Sequence, residues 1–126
     1  MNLIEIFSII LIHWFADFVL QTDEQAKGKS KKWLPLLEHT FMYGLIWLLA
    51  GGFYTIRFNF TEQGIINLTL FTAITILLHT ITDYFTSRLN SKLWSESKVH
   101  NFFISIGFDQ VLHYIQLFTT YYYLKQ

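Results

Sequence analysis

The chain has 126 residues, of which 52% are apolar, 19% aromatic and only 14% charged, with no cysteine and a formal net charge of zero. That length allows one domain, 1–126. The absence of cysteine excludes disulfide scaffolds and thiolate metal sites, and the absence of a basic face argues against a nucleic-acid partner.

The mean hydropathy of +0.34 is modest, so a very apolar soluble bundle competes with a membrane protein. The placement of charge favours the membrane. Charged residues gather in 23–32 and 88–98, and the runs between them are nearly free of Lys and Arg. A soluble bundle needs a polar stripe along every helix.

Four apolar segments follow in chain order, at about 3–20, 33–50, 64–85 and 102–124. Segment one carries Glu5 rather than a basic start, and no small-residue cleavage site follows, so it reads as a retained helix. It ends in a polar run that continues into Lys27, Lys29, Lys31 and Lys32. Segment two opens with Pro35 in its first turn, and Gly51-Gly52 are read as the start of a second connection that includes 57–62. Segment three is rich in Thr, Ile and Leu. A third connection holds Arg88, Lys92, Lys98 and His100, the last read as a solvated loop residue. Segment four finishes on Tyr121, Tyr122 and Tyr123, an aromatic belt suited to a membrane interface.

Each segment approaches the roughly 20 residues that cross a bilayer core, so the expected fold is all-α, a bundle of four transmembrane helices. Connections one and three hold most of the basic residues. By the positive-inside rule they face the cytoplasm, with both termini on the non-cytoplasmic side of the inner membrane.

The segments carry His13-x-x-x-Asp17, His79-x-x-x-Asp83 and the reversed Asp109-x-x-x-His113, with His39 on segment two. A spacing of four stacks two side chains on one helix face. Segment four runs opposite to segments one and three, so reversing the motif preserves the depth order of carboxylate and imidazole. The first and third segments also form a weak repeat, His13-x-x-x-Asp17-Phe18 against His79-x-x-x-Asp83-Tyr84.

Three aspartates in a dry pocket repel one another, and no Lys or Arg inside the segments compensates them. Protons or a divalent cation would. Imidazole with carboxylate suits zinc foremost, with manganese, iron or nickel as other options. The expected ligands are His13, Asp17, His39, His79, Asp83, Asp109 and His113, with Asp17, Asp83 and Asp109 as candidate catalytic carboxylates. Gln21 and Gln110 are expected to hydrogen-bond within the site or to cap its edge.

At these residues the sequence resembles a family of small prokaryotic and phage-encoded membrane proteins, domain of unknown function 3307. The resemblance rests on His13-x-x-x-Asp17-Phe18-x-Leu20-Gln21, Lys29 or a nearby lysine, His39, His79-x-x-x-Asp83 and Phe108-Asp109-Gln110-x-x-His113. It spans most of the chain and brings no activity with it. More distantly the chain is similar to inner-membrane proteins described as metal-dependent hydrolases, which implies hydrolysis at the cytoplasmic leaflet of a lipid or phosphoester. Two other classes stay open. One is ion or proton translocation through a homo-oligomer, with Thr69, Thr72, Thr75, Gln116, Thr119 and Thr120 continuing the polar path. The other is a non-catalytic phage or mobile-element membrane factor with a structural metal.

Overall fold

A computed structural model describes residues 1–58 and 60–125. Every regular element among them is helical: α1 (Leu3–Trp14), which runs on into a π-helical turn (Phe15–Val19), α2 (Asp23–Gly28), α3 (Trp33–Phe58), α4 (Glu62–Ser95) and α5 (Val99–Leu124). The long α4 lies centrally, packed along α3 on one flank and α5 on the other, while α1 meets both α3 and α5 over a shorter length.

Local chemistry sets the ends. Asn2 and Glu5 form a capping box that opens α1, and Thr22 and Gln25 form another that opens α2, each satisfying backbone donors that a helix start leaves free. Thr61 caps α4 by accepting from the Gly64 amide.

Several boundaries differ from the sequence expectation. Segment one is not a regular helix to residue 20: the Leu20 amide bonds the Phe15 carbonyl at 3.1 Å, the wider hydrogen-bond ring of a π turn. The charged stretch 23–32 contains α2 rather than an irregular link. Gly51 and Gly52 lie inside α3, because Gly51 sits where a Cβ would come within 2.5 Å of Leu68 Cδ1. Gly44, two helical turns earlier, would place a Cβ 2.2 Å from Ile76 Cγ1. Glycine lets α3 and α4 approach this closely. The expected connection at 57–62 includes Asn59, which, like Gln126, lies outside the described residues. The α4 helix continues to Ser95, ten residues past the expected end, because its polar residues there suit a helix as well as a loop and Ser87 is buried against the rest of the bundle. His100 is helical, in the first turn of α5, and exposed.

The pattern of burial is inverted relative to a soluble domain. The interior holds four imidazoles, three carboxylates and a run of threonines, whereas Leu11, Phe41, Phe53, Leu77, Phe103 and Ile115 face outward. Two helices, α3 and α4, are long and apolar enough to cross a membrane. In α1 the regular helix has only 12 residues, and α5 carries Asp109, Gln110, His113 and Gln116 along its length; neither meets the same measure.

Candidate metal centre

Each helix delivers its polar residues by turn spacing. In α1 the side chain of His13 points inward, and the π turn carries Asp17 to the same pocket. The α3 helix adds His39 and, one turn on, Tyr43. The α4 helix adds His79 and Asp83, and α5 adds Asp109, Gln110 and His113. The four histidines and three aspartates expected from the sequence are thus brought together, none more than 8% exposed.

Four ligand atoms from three elements form the tightest group. His39 Nε2 lies 3.1 Å from His79 Nε2, 3.1 Å from Asp17 Oδ1 and 3.3 Å from Asp83 Oδ2. His79 Nε2 lies 3.5 Å from Asp17 Oδ1 and 3.7 Å from Asp83 Oδ2. A tetrahedral ion with metal–ligand bonds of about 2.0–2.1 Å spaces its ligands about 3.3–3.4 Å apart. These five separations straddle that edge. Asp17, His39, His79 and Asp83 could therefore hold a metal ion at their centre.

A second group overlaps the first. Asp17, Asp109 and His113 also converge, with His113 Nε2 3.3 Å from Asp83 Oδ1 and 3.5 Å from Asp109 Oδ1. His113 Nε2 and Asp109 Oδ1 are buried and have no hydrogen-bond partner. Buried polar atoms are normally satisfied, so this pair has the chemistry of a site for an ion or a water.

His13 plays a different part from the other histidines. Its Nδ1 is 2.8 Å from the Tyr43 hydroxyl and its Nε2 is 2.9 Å from Gln110 Oε1, so both ring nitrogens are engaged outside either ligand group. Gln110 Nε2 donates in turn to Asp17 Oδ2 and Asp109 Oδ2. Tyr43 also stacks on His79, ring centroids 3.8 Å apart. The Gln21 side-chain amide meets His39 Nδ1, its Nε2 at 3.1 Å; turned over, so that Oε1 accepts from Nδ1–H, the same amide leaves His39 Nε2 free to face a metal.

One cation enters that the apolar segments did not offer. Lys29, in the link after α2, reaches back so that Nζ donates to Asp83 Oδ2 at 2.7 Å. Burial alone would lower its pKa, but the Asp83 and Asp17 carboxylates more than reverse this and hold it above the ordinary lysine value. Compensation of the aspartates thus comes from a connection rather than a span. Three carboxylates and one ammonium, with neutral imidazoles, leave two negative charges, the complement of one divalent ion.

Lys29 was not among the expected site residues: the family resemblance included Lys29 or a nearby lysine, and the four lysines crowding 27–32 gave nothing to separate them. Tyr43 did carry a signal, its spacing of four from His39, but a tyrosine at helical spacing reads as packing.

The site opens toward the lysine-rich link. A cleft of about 620 Å³ has Asp17, Asp109 and Gln110 at its floor and the lysine-rich link at its mouth. On the opposite side, a cavity of about 10 Å³ beside His79 and His113, lined also by Thr75, Gln116 and Thr120, has room for one water. Beyond it Ile9, Tyr43, Trp47, Phe71 and Leu117 close the bundle.

The fold and this site define a small all-helical protein, two of its helices long and apolar enough for a membrane, whose buried His/Asp cluster could hold a metal ion. The family model described as "Protein of unknown function (DUF3307)" matches residues 6–126. The chain belongs to that family, as the sequence resemblance implied. No curated protein and no solved structure matches it.

Proposed function

We propose that the protein is a four-span metalloprotein of the inner membrane, its termini on the non-cytoplasmic side, which binds zinc and hydrolyses an ester or phosphoester at the cytoplasmic leaflet. The membrane part draws support from the inverted burial pattern. Only 22% and 28% of the most apolar windows of α3 and α4 are buried, whereas the core helix of a soluble protein buries most of its surface.

The metal part rests on one observation above others: the cage of His39 Nε2, His79 Nε2, Asp17 Oδ1 and Asp83 Oδ2 with near-tetrahedral spacing. These four residues hold the ion. Manganese, iron or nickel would use the same donors, but carboxylate and imidazole at tetrahedral spacing suit zinc best. Bound there, such an ion supplies Lewis acidity to a carbonyl or phosphoryl oxygen and to water. Asp109, at the cleft floor with an unpartnered oxygen, takes the proton of the attacking water. The water oxygen bonds to the electrophilic carbon or phosphorus, the ester C–O or P–O bond breaks, and the departing alcohol takes that proton.

Translocation is less favoured. The threonine path does start inward, with Thr72 and Thr75 buried and their hydroxyls unpartnered. It then meets the packed aromatic and aliphatic cluster around Trp47 and Phe71, while the broad cleft lies on the lysine side.

Metal content by mass spectrometry on detergent-purified protein tests the reading. Near-stoichiometric zinc in the native chain, lost in His39→Ala and Asp83→Asn, is the expected result. A folded native chain that binds no metal after exposure to zinc, manganese, iron or nickel would overturn it. A structural staple is told apart by Asp109→Asn, which under the hydrolase reading keeps metal and fold but loses turnover.

A further inference from the structure

The cleft leading to the site has a second set of polar groups that neither the metal cage nor the bundle core uses. One wall is the far end of α4, where Ser87, Asn90 and Ser91 recur at helical spacing on the face toward the cleft. Ser87 is only 9% exposed, and its hydroxyl has no hydrogen-bond partner, nor has Asn90 Oδ1. A buried hydroxyl left unpaired is costly, so this wall is built for a polar group that comes from elsewhere.

The facing wall is cationic. Lys27, Lys29 and Lys31 line the cleft. Lys29 is engaged by Asp83, whereas among the described residues Lys31 has no such buried partner and Lys27 pairs with the highly exposed Asp23. The flanks are apolar: Phe18 of the π turn and Phe103 of α5 are respectively 48% and 63% exposed, and Phe102 and Ile106 continue the surface toward Asp109 and Gln110. Ammonium groups and hydroxyls at one end, aromatic and aliphatic surface along the side, and a volume within the usual range of about 300–1,000 Å³ for ligand sites describe the complement of an amphiphile with an anionic head.

We infer that this cleft binds a phosphate-headed lipid of the surrounding leaflet, the phosphate between the Lys27/Lys31 ammoniums and the Ser87/Asn90 wall, the acyl chains leaving between Phe18 and Phe103. The inference rests on the membrane half of the proposed function and is independent of the metal half. It narrows the substrate class of that hydrolase to a lipid with a phosphate-bearing head. Lysines act here as point charges on phosphate, and the serine and asparagine supply direction.

The test is native mass spectrometry of the full chain from detergent, with dioctanoyl phosphatidic acid, dioctanoylglycerol and inorganic phosphate as probes and metal content measured on the same preparations. Phosphatidic acid is expected to bind, and Lys27→Glu/Lys31→Glu, a change of two exposed side chains, to weaken it tenfold or more. Ser91→Phe, which fills the cleft from the exposed part of α4, is expected to weaken it similarly with unchanged helical circular dichroism. Equal retention of dioctanoylglycerol, binding of inorganic phosphate as tight as the lipid, or less than a twofold effect of the charge reversal would each overturn the proposal. Charge-dependent lipid binding by a metal-free chain supports it while removing the metal reading. A metal-loaded chain indifferent to the lipid overturns it alone.

Discussion

Lys29 and Asp83, 54 positions apart in sequence, meet as an ion pair of 2.7 Å at the edge of the histidine cage. The oxygen that accepts from the ammonium, Asp83 Oδ2, also lies 3.3 Å from His39 Nε2. The lysine therefore fastens the link after α2 to the metal-binding group itself.

Removing that ammonium leaves buried carboxylates with less compensation. Lys29→Met is expected to destabilise the metal-free protein by about 3–5 kcal/mol, the usual cost of breaking a buried pair from one side. Adding Asp83→Asn should recover part of the loss, since the two residues are directly coupled. Thermal unfolding in detergent after chelation, on the two single variants and the double, measures the coupling.

Metal removal should act through the same residues. Chelation is expected to lower the unfolding midpoint of the native chain, and zinc to restore it. At free zinc a hundredfold above Kd, binding adds about 2.7 kcal/mol. In His39→Ala or His79→Ala the midpoint should no longer respond to zinc. A native midpoint indifferent to both chelator and zinc would count against the cage.

His13 separates ligand from scaffold. Both of its nitrogens are engaged by Tyr43 and Gln110, so His13→Ala is expected to keep most of the metal while losing stability. Tyr43→Phe, which keeps the stack on His79 and removes only the hydroxyl, should cost about 1–2 kcal/mol. Metal content of the two variants checks this: loss in His13→Ala equal to that in His39→Ala would make His13 a ligand.

Gly44 controls how closely α3 and α4 approach, and His39 and His79 face each other across the same seam. Gly44→Ala drives a methyl into Ile76, an overpacking expected to cost about 1–3 kcal/mol and to reduce metal occupancy. Because the obstruction is a side chain, Ile76→Ala should restore both in the double variant. Occupancy and unfolding midpoint, read together, test the coupling of helix spacing to the cage.

Gly28 sets the same kind of limit on the link. A Cβ there would lie 2.8 Å from Pro35 Cγ, so Gly28→Ala is expected to push α2 away from the start of α3 and withdraw Lys29 from Asp83. Its effect on the chelated protein should resemble Lys29→Met in direction and be smaller. Additivity of Gly28→Ala and Lys29→Met would show that the two act separately.

Much of the site was legible because helical geometry is local. A spacing of four puts His79 over Asp83 and Asp109 over His113 wherever the helix goes, and the reversal on α5 keeps their order because that helix runs the other way. The sequence also determined the absence of cysteine, which excludes thiolate sites, and the membership in DUF3307. Element ends were less legible. Polar residues such as Ser87, Asn90 and Ser91 satisfy a helix and a loop equally, so only their packing beside α5 decided that α4 runs to Ser95. The π turn at Phe15–Val19 left no mark in its apolar sequence, yet it sets the direction of Asp17. The tertiary structure alone chose Lys29 among four neighbouring lysines, because its pairing depends on where Gly28 lets α2 pack and on a carboxylate carried by a different helix. It likewise placed His13 against Tyr43 and Gln110, because helical spacing fixes which residues share a face, whereas only the packing of one helix on another fixes which atoms meet.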